Sequence, residues 1–224
     1  MTNLLDYRRI YQAHGFQRLI DEIRENFLYD LIHGVDTQSY KPLSRYSTKH
    51  ISGNDIVQYQ PVYTSVVRES LRIACTLTVR KCSFLDAGSG KGKVLLEARK
   101  LGFEHIYGVE LDPELHSISK SNLAKHDCER CTLINANVLD VPLPDDIGVI
   151  FLYHPFHERI MKTFIDTIER HCSERKIACL IIYVRPKYDA LLSNWRKLHE
   201  FSKYMQDTAV FGYYPDDQAE VTAC

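Results

Sequence analysis

The chain has 224 residues, of which 45% are hydrophobic and 25% charged, and a formal net charge of −1. That length and balance fit one globular domain with a small appendage and exclude a disordered chain. The near-zero charge removes the simplest electrostatic basis for binding nucleic acid, and the longest apolar runs are too short to span a bilayer. Met1 to Ile10 carry Asp6, Arg8 and Arg9 and no apolar core, unlike a secretory signal, so a cytoplasmic protein is expected. Seven scattered cysteines, an odd number, fit free thiols in a reducing compartment. Cys128 and Cys131 form one C-x-x-C with His126 nearby. Zinc usually takes four ligands and Cys131 also begins an expected strand, so no metal site is expected.

Met1 to Leu31 reads as one or two helices broken near Gly15, with Leu19, Ile20, Ile23, Phe27 and Leu31 at helical spacings. His33 to Asp55 is rich in Gly, Ser, Thr and Tyr, with Lys41, Arg45 and Lys49 among them. A loop of that length is either a lid that covers a ligand or a solvated linker. Residues 1–55 are therefore expected to form a helical and lid extension, and residues 56–224 the main domain. A helix then starts near Pro61, with Tyr63, Val67, Leu71 and Ala74 on one stripe.

The stretch SFLDAGSGKGKVLLEA, Ser83 to Ala98, organises the rest. A buried strand end, Phe84 and Leu85, runs into Asp86, three alternating glycines at Gly88, Gly90 and Gly92, and a helical pattern. Strand, glycine turn and helix meet a nucleotide-like ligand at the carboxyl edge of an α/β sheet. The glycines let the chain turn sharply, and the helix N–H groups point at the ligand. A P-loop is excluded, because no Ser or Thr follows either lysine. A dinucleotide-binding G-x-G-x-x-G fits poorly, because Lys93 stands at its third glycine.

Strands are expected at His105–Leu111, Cys131–Val138, Ile147–His154 and Ile177–Val184, with helices at 112–125 and 157–170. Glu110 closes the second strand, where a carboxylate can accept from both hydroxyls of a ribose. Tyr188 to His199 reads as a helix with Leu191, Leu192, Trp195 and Leu198 inward. Phe201–Tyr204 and Thr208–Tyr214 read as a closing β pair, and the tail from Asp216 as frayed.

The acid-x-Gly-x-Gly-x-Gly run, followed 24 residues later by Glu110, resembles the first two motifs of the class I S-adenosylmethionine-dependent methyltransferases. The resemblance is strongest from Phe84 to Phe156. It implies a three-layer, Rossmann-like α/β fold with a mostly parallel seven-stranded sheet whose last strand is antiparallel. It implies S-adenosyl-L-methionine as cofactor and S-adenosyl-L-homocysteine as product. Asp86, Gly88, Ser89 and Gly90 would then hold the amino-acid part, Glu110 the ribose, and Asn137 and Val138 the adenine, with Leu111 also against the cofactor. Tyr59-Gln60-Pro61 is similar to an element of protein-lysine and histone-lysine methyltransferases and their small bacterial relatives. That places Tyr59 against the cofactor, although Tyr59 and Tyr63 could equally be core aromatics.

His154-Pro155-Phe156 departs from the family's Asn or Asp, Pro, aromatic motif. His154 is the candidate to orient or deprotonate the acceptor, or else a strand-end histidine with a structural role. Methyl transfer to an oxygen or nitrogen of a small molecule is the expected function. The alternatives are protein-lysine methylation, a cofactor-binding module without catalysis, and a nicotinamide oxidoreductase, which Lys93 and Asp86 disfavour.

Overall fold

The computed structural model describes residues 11–12, 15–17, 19–38, 59–78, 80–153, 156–204 and 206–215. Apolar runs that alternate with amphipathic ones give a seven-stranded sheet of order β3-β2-β1-β4-β5-β7-β6. Its strands are β1 Ser83–Ala87, β2 Ile106–Glu110, β3 Cys131–Asn135, β4 Ile147–Tyr153, β5 Cys179–Val184, β6 Arg196–Lys203 and β7 Gln206–Tyr213. The first five pair in parallel, and β7 lies antiparallel to both β5 and β6. Strands β1 and β5 are buried at every residue, as a sheet covered on both faces requires.

Five helices are named here among the described residues: α1 Leu28–His33, α2 Thr64–Leu77, α3 Lys93–Ala98, α4 Pro113–Ala124 and α5 Glu158–Arg175. Helices α2 and α3 share one apolar cluster with Phe84, Ile106, Val149 and Ile182 on one face of the sheet. On the other face, α5 packs Met161, Phe164, Ile165 and Ile168 against Leu85, Ile150 and Ile181. Strand order reverses between β1 and β4, and α/β folds bind ligands at the carboxyl edge of such a point. No helix among the described residues is long and apolar enough to cross a membrane.

The expected helix over 188–199 is not formed. Asp189–Leu192 is one 3-10 turn, and Arg196–Lys203 is an edge strand. The reason is a bulge between Lys197 and His199. Leu198 is the extra residue, so it and Phe201 both pack inward from a strand, at a three-residue spacing that imitates a helix. The sulfurs of Cys128 and Cys131 are joined, where free thiols were expected. Their turn, closed by Cys131 N–H donating to the Cys128 carbonyl at 3.1 Å, brings the Cα atoms to 5.4 Å, within bridging reach. Cys75, Cys82, Cys172 and Cys179 are free.

Candidate functional site

The glycine turn is set by backbone conformation. Gly88, Gly90 and Gly92 have φ of 87°, 52° and 83°, the left-handed region that other residues enter at a cost. The Gly88 and Ser89 N–H groups both donate to the Val109 carbonyl at 2.9 Å, which ties the turn to β2. Tyr59 packs against the turn, and a Cβ on Gly90 would run into its ring. The Tyr59 hydroxyl donates to the Thr37 carbonyl. Gly90→Ala should therefore lower the unfolding free energy by about 2 kcal/mol, through left-handed strain and displacement of Tyr59. Urea denaturation against the parent chain measures it.

Two carboxylates face this turn. Glu110 is 8% exposed; one oxygen accepts from Gly90 N–H at 2.7 Å and the other from Asp112 N–H at 2.8 Å. Burial pushes its carboxyl up to about 7, although these hydrogen bonds oppose the shift. Asp86, 3% exposed at the end of β1, is held well above the usual carboxylate range by burial and then by the charge of Glu110. Its Oδ2 and the Ser89 Oγ are buried without a hydrogen-bond partner among the described residues. A buried orphan carboxylate oxygen beside a second carboxylate fits a ligand that brings positive charge and hydrogen-bond donors.

Asp112 caps α4, accepting from Glu114 and Leu115 N–H at 3.0 and 2.9 Å with Pro113 behind it, and so fixes the strand-to-helix bend after Glu110. Leu111, inside this bend, leaves 40% of its surface exposed. Asn137 follows β3 and starts a 3-10 turn, Val138–Asp140, its Oδ1 accepting from Leu139 N–H at 3.1 Å. Such an amide carries a second lone pair on its oxygen and two N–H donors. Val138 is buried beneath it.

Several residues at the site were not singled out from the sequence. Asn135 donates to the Glu110 and Leu111 carbonyls at 2.7 and 3.0 Å and locks the tips of β2 and β3 together. Lys91 pairs with Asp36 at 3.0 Å, and Asn122 bonds both the Asp36 and Lys91 carbonyls. The backbone and hydroxyl of Thr37 both bond Asp30. Residues 36–38, read as part of a loop, are thus seated against the glycine turn; residues 39–55, the rest of the expected lid, lie outside the described residues. So do His154 and Pro155. Their neighbours are placed: Tyr153 ends β4, and the Phe156 ring meets Phe164 edge-on at 5.8 Å. Among the described residues no group of three His, Cys, Asp or Glu is placed to hold a metal ion.

A sheet of this order, with a glycine turn after β1 and acids at the tips of β1 and β2, defines the class I, Rossmann-like methyltransferase fold. Residues 84–175 match the family model described as a methyltransferase domain, and the chain carries such a domain. A ribosomal protein L11 methyltransferase of Clostridium perfringens is 38% identical over 56 residues, 25% of this chain and 18% of that protein. The chain thus spans about a fifth of the length of that relative. A putative methyltransferase from Escherichia coli superposes with a TM-score of 0.55 at 18% identity, over 67% of this chain and 87% of that one. An S-adenosylmethionine-dependent O-methyltransferase from Thermotoga maritima superposes with a TM-score of 0.52 at 18% identity, over 70% and 68%.

Proposed function

We propose that this chain is an S-adenosylmethionine-dependent methyltransferase acting on an oxygen or nitrogen of a small molecule. The observation that carries the reading is the pair of buried carboxylates, Asp86 and Glu110, on a left-handed glycine turn, with one Asp86 oxygen unpartnered among the described residues. When bound, the sulfonium supplies a methyl group already activated for displacement, and its transfer leaves a neutral thioether. Asp86, Ser89 and the backbone of Gly88 and Gly90 hold the amino-acid end. Glu110 accepts from the ribose hydroxyls with the lone pairs that Gly90 and Asp112 leave open. Leu111 offers an apolar face to the adenine, with Asn137 and Val138 at its edge. Tyr59 closes the turn from above and excludes water. The chain must hold the acceptor in line with the departing sulfur, about 3 Å from the methyl carbon. His154, directly after β4, is the residue assigned to orient the acceptor and take its proton.

A protein acceptor is the second reading, favoured by the similarity to an L11 methyltransferase. Incubation of the enzyme and labelled cofactor with ribosomal proteins, read by mass, decides between them.

The cofactor reading predicts a pH dependence. The folded carboxyl of Glu110 titrates near 7 against an ordinary value of 4.5. A raised carboxylate stabilises the empty fold below pH 4.5, and that contribution is lost as pH rises through about 7. The ligand needs the ionised form, so affinity should rise from pH 6 to pH 8 with proton release on binding below pH 7. Titration calorimetry with S-adenosylhomocysteine in buffers of different ionisation enthalpy measures both. A pH-independent affinity would remove Glu110 from the ribose site, and stabilisation by NADH instead would favour an oxidoreductase.

A further inference from the structure

We infer that Arg185 is the specificity-determining residue for the acceptor, and that the acceptor carries an anionic group, a carboxylate or a phosphate. The inference rests on the methyltransferase reading and deepens it.

The first observation is backbone strain. Three described residues other than glycine have positive φ: Lys176, Arg185 and Tyr204. Lys176 caps the end of α5 and Tyr204 lies in the turn between β6 and β7, where such angles are ordinary. Arg185 has neither excuse. It follows the last residue of β5, has φ of 51°, and precedes Pro186, which itself disfavours all but extended backbone. Its N–H is clamped to the Asp207 carbonyl at 2.7 Å. Glycine would take this conformation without steric strain, as it does at five other described positions, yet the chain keeps an arginine. Strain of this kind persists where the side chain has work to perform.

The second observation is where the guanidinium sits and what it lacks. It lies 5.8 Å from the centre of the Tyr153 ring, and Nη1 donates to Gln60 Oε1 at 2.7 Å. Tyr153 is itself fixed, its hydroxyl accepting from Gln206 Nε2 at 3.0 Å, while Gln206 Oε1 accepts from Tyr63 N–H. Gln206 is 2% exposed, so this frame is built, not incidental. Among the described residues no carboxylate pairs with Arg185, and the group is only half-buried. A guanidinium over an aromatic ring, with one Nη bonded to Gln60 and no carboxylate partner among the described residues, is suited to bind an oxyanion through two parallel hydrogen bonds from its remaining edge.

The third observation is position. Arg185 and Tyr153 stand at the carboxyl ends of β5 and β4, on the far side of the switch point from Asp86 and Glu110. Gln60 joins them to Tyr59 and so to the glycine turn. On the methyltransferase reading the methyl donor lies over β1 to β3, which leaves the carboxyl ends of β4 and β5, beside Arg185, for the acceptor.

The test uses the chain saturated with S-adenosylhomocysteine, titrated with inorganic phosphate and, separately, with benzoate, and followed by the arginine side-chain N–H resonances. Saturable binding of one anion is expected, and which one binds separates a phosphate from a carboxylate acceptor. Arg185→Gln should weaken it about tenfold or more while affinity for S-adenosylhomocysteine stays unchanged, and Arg185→Lys should fall between. Arg185→Gly should unfold at the same or a higher urea concentration than the parent, because it relieves strain. The proposal is overturned if neither anion binds the loaded chain, if Arg185→Gln binds as tightly as the parent, or if Arg185→Gly is clearly destabilised, which would make the residue structural. Failure of S-adenosylhomocysteine to bind would overturn the methyltransferase reading and the anion site with it. Binding of S-adenosylhomocysteine without either anion would overturn the anion site alone.

Discussion

Glu110→Ala should weaken binding of S-adenosylhomocysteine by about a hundredfold, the loss of two hydrogen bonds to a charged acceptor. Two effects add. The carboxylate that would receive the ribose hydroxyls is gone. The Gly90 and Asp112 N–H groups also lose their acceptor, so the turn that presents the amino-acid pocket loosens. Glu110→Gln tests the second effect, because an amide can accept from only one of the two N–H groups and must face the other with a donor. It should lose nearly as much affinity as the alanine variant. The empty fold should tolerate both changes at pH 8, where an ionised and buried Glu110 beside Asp86 is costly. Calorimetry and thermal unfolding, run on the same samples, separate the effect on binding from the effect on folding. An affinity within threefold of the parent would rule Glu110 out of the site.

Lys93→Ala should cost about 3 kcal/mol of stability, the scale of truncating a buried side chain and leaving its two buried acceptors unpartnered. Lys93 is 3% exposed. Its ammonium donates to Asn26 Oδ1 at 2.6 Å and to the Val62 carbonyl at 3.1 Å, and lies 5.2 Å from the Tyr29 ring. Asn26 is fully buried in a π-helical turn, Ile23–Phe27, and its amide donates to Glu22, which also accepts from the Tyr63 hydroxyl. One cation thus pins the N-terminal helix, the segment before α2 and the start of α3 together. Lys93→Met should be milder, since it keeps the packed stem. Hydrogen exchange should show residues 19–38 opening first in the alanine variant.

The same residue has a pH signature. Burial lowers its amine from 10.5 to about 8, against the pull of Asp30, Glu22, Glu25 and Glu97. The unfolded chain therefore holds this proton to higher pH than the fold, and the contribution to stability rises between pH 8 and pH 10.5. The difference in urea stability between the parent and Lys93→Met should follow that rise. A flat difference would show that the amine titrates normally.

Much of the fold was legible because its signals are local. Five apolar runs that alternate with amphipathic ones require a parallel sheet, and the glycines at 88, 90 and 92 require a left-handed turn wherever they are placed. Asp86 and Glu110 stand directly beside those signals. The acids of the candidate site were legible for the same reason: they stand at strand ends. Strand β6 was misread because one bulge at Leu198 shifts the inward phase to three residues, a change that depends on pairing with β7 and not on the strand's own residues.

The sequence alone determined the class of fold, the glycine turn and the acids at its rim, since each is written in neighbouring residues whose backbone preferences and apolar periods act over a few positions. Tertiary structure alone decided which partners the cations meet. Lys93, visible in the chain only as a misfit in a dinucleotide motif, finds Asn26 across 67 residues. Arg185, indistinguishable in sequence from any surface cation, finds Gln60 across 125 residues and no carboxylate among the described ones. Burial and partnership of a charge depend on which segments meet, and chain order does not encode that at short range.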